Sequence, residues 1–474
     1  VPLAVLLGLY VTARLVILAR YTVFTSVDST SYADRPGNTI ELLSFTGHAP
    51  RPWAVPLLYA LAGSDRAGTV AQWGISTLAW SLLICACWLL LRTSFARIGA
   101  VSAVVGLALS RSVYSWDHAV LSESLSISLG IAALALLAIW VRSRSRVALG
   151  ALVVAAVWWT FVRQDVLPYV LLLVVVLAGY ALLRRYRRAA VVAVLALLAG
   201  LTWNVATVAT VDESYRAWYN GLSLSEATFV YRLRFQVLND PQVAKAYRDE
   251  FGMPHCQQAE RIAGRPAWKM PDFFDAYEGC PDLIAWTQRE KGSVAYRYAL
   301  AHPRHAAAKT VETMPVLLGG TAGHYAEPVA AVPAFPERLI FPRPERVLLL
   351  AGLVAALAVA VGLLTRGFRR ARWVAAAGGL LVLGSTASAV AGTLFTAGEY
   401  ARFGIQEAVL LRVGLILLVA AAVDAATAAI RERTSTGRID PGPEAGEPDG
   451  TPSPDDPTDA AAGHRGQEYV DRHA

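Results

Sequence analysis

Apolar residues run in blocks at 1–19, 69–91, 98–113, 119–141, 147–162, 165–183, 189–211, 346–365, 373–396 and 405–429. A bilayer core about 30 Å thick needs roughly 20 apolar residues of helix to cross it, so each block predicts a transmembrane helix. The polar junctions alternate. Those after the even blocks carry Arg92 and Arg97; Arg142, Arg144 and Arg146; Arg184, Arg185, Arg187 and Arg188; Arg366, Arg369, Arg370 and Arg372; and Arg431 and Arg433, against the single acid Glu432. Those after odd blocks balance charge: Arg111 with Asp117, Arg163 with Asp165, Glu399 with Arg402. Because basic loops stay in the cytoplasm, both termini are expected there. The first block dissents, ending at Arg20 with no basic residue before it, and the other nine outvote it. It begins at Val1 without a basic n-region or an A-x-A-like cleavage site, so we expect a retained first helix rather than a signal peptide.

The pattern divides the chain into four regions. Residues 1–211 form an N-terminal membrane region of about seven spans, including a first external loop at 20–68. Residues 212–345, rich in Trp, Tyr, Arg and Pro, are expected to form an extracytoplasmic loop domain. Residues 346–430 add about three spans. Residues 431–474 are acidic and Pro-rich, cannot bury a core, and are expected to be disordered in the cytoplasm. The fold class is therefore an all-α polytopic membrane protein with about 10 transmembrane helices, in the cell (plasma) membrane.

Composition agrees. The 474 residues are 55% hydrophobic and 17% charged, against roughly 25% charged in soluble domains. This excludes disordered, collagenous and disulfide-dense secreted classes. The net charge of +7 is best read as topology, since the arginines sit at membrane edges, and not as a nucleic-acid footprint. Almost all of the basic residues are Arg, a bias that hints at a high-GC bacterial genome. Cys256 and Cys280 both fall in the external segment. That compartment permits a disulfide, the alternative being two unpaired thiols. Cys85 and Cys87 lie inside a span and read as small packing residues.

Ionisable groups at membrane depth are costly and default to paired or functional roles. Four junctions on the expected outer side carry them: Asp28–Asp34 with Tyr32, Tyr114–Leu125 with Asp117 and Glu123, Trp158–Asp165 with Arg163, and Gly398–Phe403 with Glu399 and Arg402. All lie at one membrane level, so carboxylates, arginines and aromatics can converge there. Arginine reads phosphate bidentately, a carboxylate can take a proton from a hydroxyl, and aromatics stack on sugar faces. Plainer roles stand beside each. Asp28 can be a solvated or capping loop acid. Glu123 can cap its helix or meet Arg111. Arg163 can pair with Asp165, and Glu399 with Arg402 at i, i+3. Arg14 can snorkel or pair inside the bundle. The histidines show no metal-ligand spacing.

On these residues the chain resembles the GT-C integral-membrane glycosyltransferases, which include the protein O-mannosyltransferases and the aminoarabinose transferases of lipid A. The likeness rests on Asp28 with Tyr32 soon after the first helix and on the Gly- and Pro-rich run Gly47–Leu61. It rests also on Leu121-Ser122-Glu123-Ser124-Leu125, on Arg163-Gln164-Asp165 before an apolar run, and on His302-Pro303-Arg304-His305 and Glu399 with Arg402 further on. Some relatives carry two adjacent acids in the first loop; here Ser29 follows Asp28. The resemblance implies sugar transfer from a polyprenyl-phosphate donor to a hydroxyl on a glycan, lipid or protein. It implies Asp28 as general base and Arg163 and Arg402 as lipid-phosphate ligands. Tyr32, Asp117, Glu123, Asp165 and Glu399 are then candidates for donor or acceptor binding. Some relatives use a divalent metal, although no cofactor is required by the residues themselves. Two other readings stay open: a transporter or lipid flippase, which would place charges near the midplane, and a scaffold presenting the external domain.

Overall fold

The computed structural model describes residues 2–33, 39–40, 45–46, 51–182, 187–217, 221–264, 277, 279–320, 335–365, 371–395 and 400–436. It divides into two compact units, Val1–Ala429 and Ile430–Ala474. The second is described only over the end of its long helix, and the rest of the acidic tail lies outside the described residues.

Each of the ten apolar blocks forms helix: α1 (Pro2–Arg20), α2 (Asp65–Leu90), α3 (Ser94–Ala108), α4 (Glu123–Ser143), α5 (Arg146–Thr160), α6 (Leu167–Leu182), α7 (Arg187–Ser214), α8 (Pro344–Leu364), α9 (Arg372–Phe395) and α10 (Ile405–Thr436). Among the described residues, eight helices are long and apolar enough to cross a membrane. The third block breaks: α3 ends at Ala108, and Arg111–His118 continues at an angle of 55°. The fifth block yields a helix of 15 residues. The chain is an all-α polytopic membrane protein. The sheet seen among the described residues is one antiparallel pair, Thr39–Ile40 with Phe45–Thr46.

Local chemistry sets the helix ends. Ser64, Thr93 and Ser145 each accept from the amide three residues on, at the starts of α2, α3 and α5. The Asp424 carboxylate of α10 accepts from the Arg92 and Thr93 amides, at 3.1 and 2.7 Å, tying the α2–α3 turn to α10. The broken span needs its freed amides satisfied, since lipid offers no partners. Glu337 does this: it accepts from the Arg111 amide at 2.6 Å, the Ser112 amide at 3.1 Å, and the Ser112 hydroxyl.

The main core is built around α4, whose residues Glu123–Ala133 are all buried. Trp80, Leu83, Ile84, Leu107, Leu152 and Val413 pack in the same core. Outside it, Leu9, Val154, Leu171, Val175, Leu353 and Leu383 are exposed on the membrane helices, as lipid-facing side chains must be. α9 and α10 cross through glycine. A Cβ on Gly378 would come within 2.8 Å of the Gly414 carbonyl oxygen, so small residues let the backbones touch.

Residues 222–298 make a second, smaller core, in which Phe229, Tyr247, Met253, Tyr277, Trp286 and Val294 pack together. Its helices start on strong caps: Ser223 with Glu226 as a capping box, and Asp240 followed by Pro241. A disulfide joins Cys256 and Cys280. Cys87 is buried in the main core, as a packing residue would be.

Candidate functional site

The loop after α1 is held against the start of α4 by backbone bonds. The Phe24 amide donates to the His118 carbonyl at 2.9 Å and the Val120 amide to the Phe24 carbonyl at 3.0 Å, a one-residue parallel bridge. Beyond it the chain tightens into a turn at Val27–Ser29, where the Ser26 amide donates to Ser29 Oγ at 2.8 Å. A short helix, Thr30–Ala33, follows. This registers Asp28 beside Glu123, the first residue of α4.

Arg402 comes from a third segment. It sits in the turn Tyr400–Phe403 just before α10. The second core reaches this turn directly: Gln236 Nε2 donates to the Tyr400 hydroxyl at 2.8 Å and to the Thr393 carbonyl at 3.2 Å. Gly404 follows, and a Cβ there would lie 2.4 Å from the Leu317 carbonyl oxygen, so only glycine fits this approach. Arg412 locks the same corner, donating to the carbonyls of Ile340, Leu318 and Ala408 at 2.7, 2.9 and 2.7 Å, with its guanidinium over the Phe341 ring.

The result is a chain of ion pairs. Asp28 Oδ2 accepts from Arg402 Nη1 at 2.6 Å, and Glu123 Oε1 accepts from Arg402 Nε at 2.7 Å. Glu123 Oε1 also accepts from Arg163 Nη1 at 3.0 Å, and Arg163 Nη2 donates to Asp165 Oδ2 at 2.5 Å. The centre is dry and the ends are open. The side chain of Glu123 is 0% exposed, those of Asp28 and Asp165 39% and 34%. Tyr32 joins through its hydroxyl, which donates to Ser122 Oγ at 3.3 Å.

Arg51, in the Arg-Pro-Trp stretch, carried no role in the sequence reading. Its Nε donates to Ser31 Oγ at 3.0 Å and its guanidinium lies 5.2 Å from the Tyr32 ring centroid. Burial pushes the Asp28 carboxyl up, but the Arg402 and Arg51 guanidinium charges outweigh it and hold it below its ordinary value. Burial likewise works against the Arg402 charge, and Glu123 and Asp28 reverse that, so Arg402 stays protonated. Counting Arg51, three cations face Asp28, Glu123 and Asp165. An aromatic wall adjoins: Trp53 packs on Phe161 at 4.6 Å and on Trp203 at 5.6 Å between ring centroids.

Asp117 belongs elsewhere. Its expected counter-charge, Arg111, gives its amide to Glu337, and Asp117 instead accepts from Arg14 Nη2 at 2.6 Å inside the bundle. Ser124 takes its other oxygen. Both Asp117 oxygens are thus engaged away from the cluster. Glu123 pairs with Arg402 and Arg163 rather than with Arg111. Glu399 lies outside the described residues, as does Asp34. His118 stacks on Tyr21 and is buried, a structural position.

Among the described residues no three His, Cys, Asp or Glu side chains gather, and each carboxylate of the cluster is bonded to a guanidinium.

Glu407, in the first turn of α10, was also missed. It is buried, accepts from Ser388 Oγ at 2.7 Å, and faces the Arg163–Asp165 end. The signal that marks Glu123, an acid at the mouth of an apolar run, is present here too. No protein-family model matches the chain, and no curated protein and no solved structure matches it.

Proposed function

We propose that the chain is a membrane glycosyltransferase, moving a sugar from a polyprenyl-phosphate donor to a hydroxyl acceptor on the extracytoplasmic face of the cell membrane. The observation that carries this reading is the ion-pair chain Asp28–Arg402–Glu123–Arg163–Asp165. It gathers side chains from four distant segments at one level, with a buried centre and two half-exposed carboxylates. The Arg-rich junctions support a cytoplasmic position for the opposite end and for both termini.

In this reading Asp28, ionised because Arg402 and Arg51 depress it, takes the proton of the acceptor hydroxyl. The hydroxyl oxygen forms its bond to the anomeric carbon, and the bond from that carbon to the phosphate oxygen breaks. The lipid phosphate leaves with the electron pair, against the positive charge of Arg163, Arg402 and Arg51. Trp53 offers a face on which a sugar ring or prenyl chain can rest. The same depression that keeps Asp28 ionised also weakens it as a base, so the mechanism leans on positioning and charge more than on basicity.

One observation favours a second reading, a transporter or lipid flippase. The Arg14–Asp117 pair is fully buried, and Arg14 Nε donates to Thr77 Oγ1 midway along α2, where a transporter would carry charge. Purified protein in lipid nanodiscs, given a panel of labelled polyprenyl-phosphate sugars and mixed acceptors, separates the two. Release of unglycosylated lipid phosphate supports transfer; no release, with lipid or solute flux in sealed vesicles, supports transport.

A further inference from the structure

Glu407 is a carboxyl that the proposed reaction does not use, and its surroundings are unusual. Its side chain is buried between α6, α9 and α10. Oε1 accepts from Ser388 Oγ at 2.7 Å, and Oε2 is buried without a partner among the described residues. The cation that acts on it is Arg163, whose hydrogen bonds go to Glu123, Asp165 and the Phe403 carbonyl. Among the described residues, the charged and titratable groups facing Glu407 are Asp165 and Arg163 from the α5–α6 junction and Tyr169 from α6. α9 contributes the hydroxyls of Ser385 and Ser388. The Tyr169 hydroxyl lies within hydrogen-bonding reach of Ser385 and Ser388, so a small buried hydroxyl cluster adjoins the carboxyl. An ionised carboxylate here would be a buried charge with only the Ser388 hydroxyl and its own backbone amide as donors and a second carboxylate nearby, an arrangement costly enough that such groups neutralise instead. A neutral carboxyl removes the charge and gains an O–H to donate toward the neighbouring hydroxyls.

We propose that Glu407, with Tyr169, Ser385 and Ser388, forms a buried proton-binding site in which the Glu407 carboxyl holds a proton at neutral pH. In that state Arg163 is left to Glu123 and Asp165. Removing the proton places a second carboxylate charge beside Asp165 and draws Arg163 away from Glu123, so the site couples external pH to the ion-pair chain. This does not depend on the chemistry proposed above.

The test is infrared difference spectroscopy on the full chain in lipid, comparing wild type with Glu407→Gln. Wild type is expected to show the C=O stretch of a protonated carboxyl, shifting in D2O and fading as pH is raised, and absent from Glu407→Gln. Ser388→Ala, which leaves the charge pattern alone, is expected to move the same band to higher frequency because Oε1 loses its donor. A folded Glu407→Gln whose carboxyl region matches wild type overturns the proposal. If that variant does not fold, a band unmoved in Ser388→Ala overturns it. Both readouts are spectroscopic, so absence of sugar transfer leaves them unaffected.

Discussion

Arg402 Nε donates to Glu123 Oε1 at 2.7 Å across 279 positions of sequence. The bond joins the turn before the last membrane helix to the first residue of the most buried one. Arg163 shares the same oxygen. Glu123 is thus the hinge on which both guanidinium groups are oriented.

Glu123→Gln leaves two guanidinium groups with half their compensation in a dry site. Removing one partner of a buried pair costs about 3–5 kcal/mol. We expect a large fall in the thermal midpoint of the purified protein. Glu123→Gln combined with Arg402→Gln should recover part of it, because the cycle removes both charges. Simple additivity of the two losses would show that the bond is not coupled as described.

Asp28 behaves differently because it is half-exposed. Asp28→Asn is expected to change stability by no more than about 1 kcal/mol, as for other solvent-screened pairs. Protein yield and detergent-solubilised size should match wild type. A variant that aggregates on extraction would assign Asp28 a structural role that its exposure does not suggest.

The same pair predicts a pH dependence. The folded carboxyl of Asp28 sits below its unfolded value, so the unfolded state binds the proton first as pH drops. The contribution is fully present above the ordinary aspartate range, near about pH 4, and is lost as pH falls through the depressed folded value. Unfolding midpoints measured from about pH 7 to about pH 3 should fall less steeply for Asp28→Asn than for wild type. Equal acid slopes would contradict the assignment.

Arg14 and Asp117 offer a cleaner buried pair. Arg14→Leu alone should be strongly destabilising, because Asp117 keeps a charge inside the bundle. Arg14→Leu with Asp117→Leu should be much closer to wild type, since a well-packed apolar pair can match a buried ionic one. The Arg14→Leu single variant surviving extraction as well as the double would argue against the buried pair.

The Cys256–Cys280 bridge closes a loop with a sequence separation of 24. A loop of that length stabilises by about 3 kcal/mol in the chain-entropy picture. Cys256→Ser with Cys280→Ser should make residues 222–298 more susceptible to limited proteolysis, leaving the membrane helices protected. Unchanged cleavage would mean that the small core holds without the bridge.

The membrane helices were legible because a bilayer imposes length and apolarity on a span, and eight of the ten blocks form described helices that meet both. The break after Ala108 was not. It depends on Glu337, more than two hundred residues away, accepting the freed amides, and sequence spacing carries no trace of that contact. Asp28, Glu123, Arg163, Asp165 and Arg402 stood out as charges at span mouths, and their convergence follows from sharing one level. Which acid meets which arginine did not follow. Asp117 is as prominent in sequence as Glu123, yet the turn at Ser115–His118 carries it into the bundle toward Arg14. Arg51 was hidden because it lies in an ordinary polar loop; Glu407 was not hidden, being an acid at the mouth of the last apolar run as Glu123 is of its own.

The proposed role of the ion-pair chain is transfer of a lipid-linked sugar. The most direct measurement is sugar release from labelled polyprenyl-phosphate sugars by membranes carrying wild type or Asp28→Asn at matched expression. The account predicts turnover with at least one donor in wild type and its loss in the variant. Undiminished turnover in Asp28→Asn would contradict it.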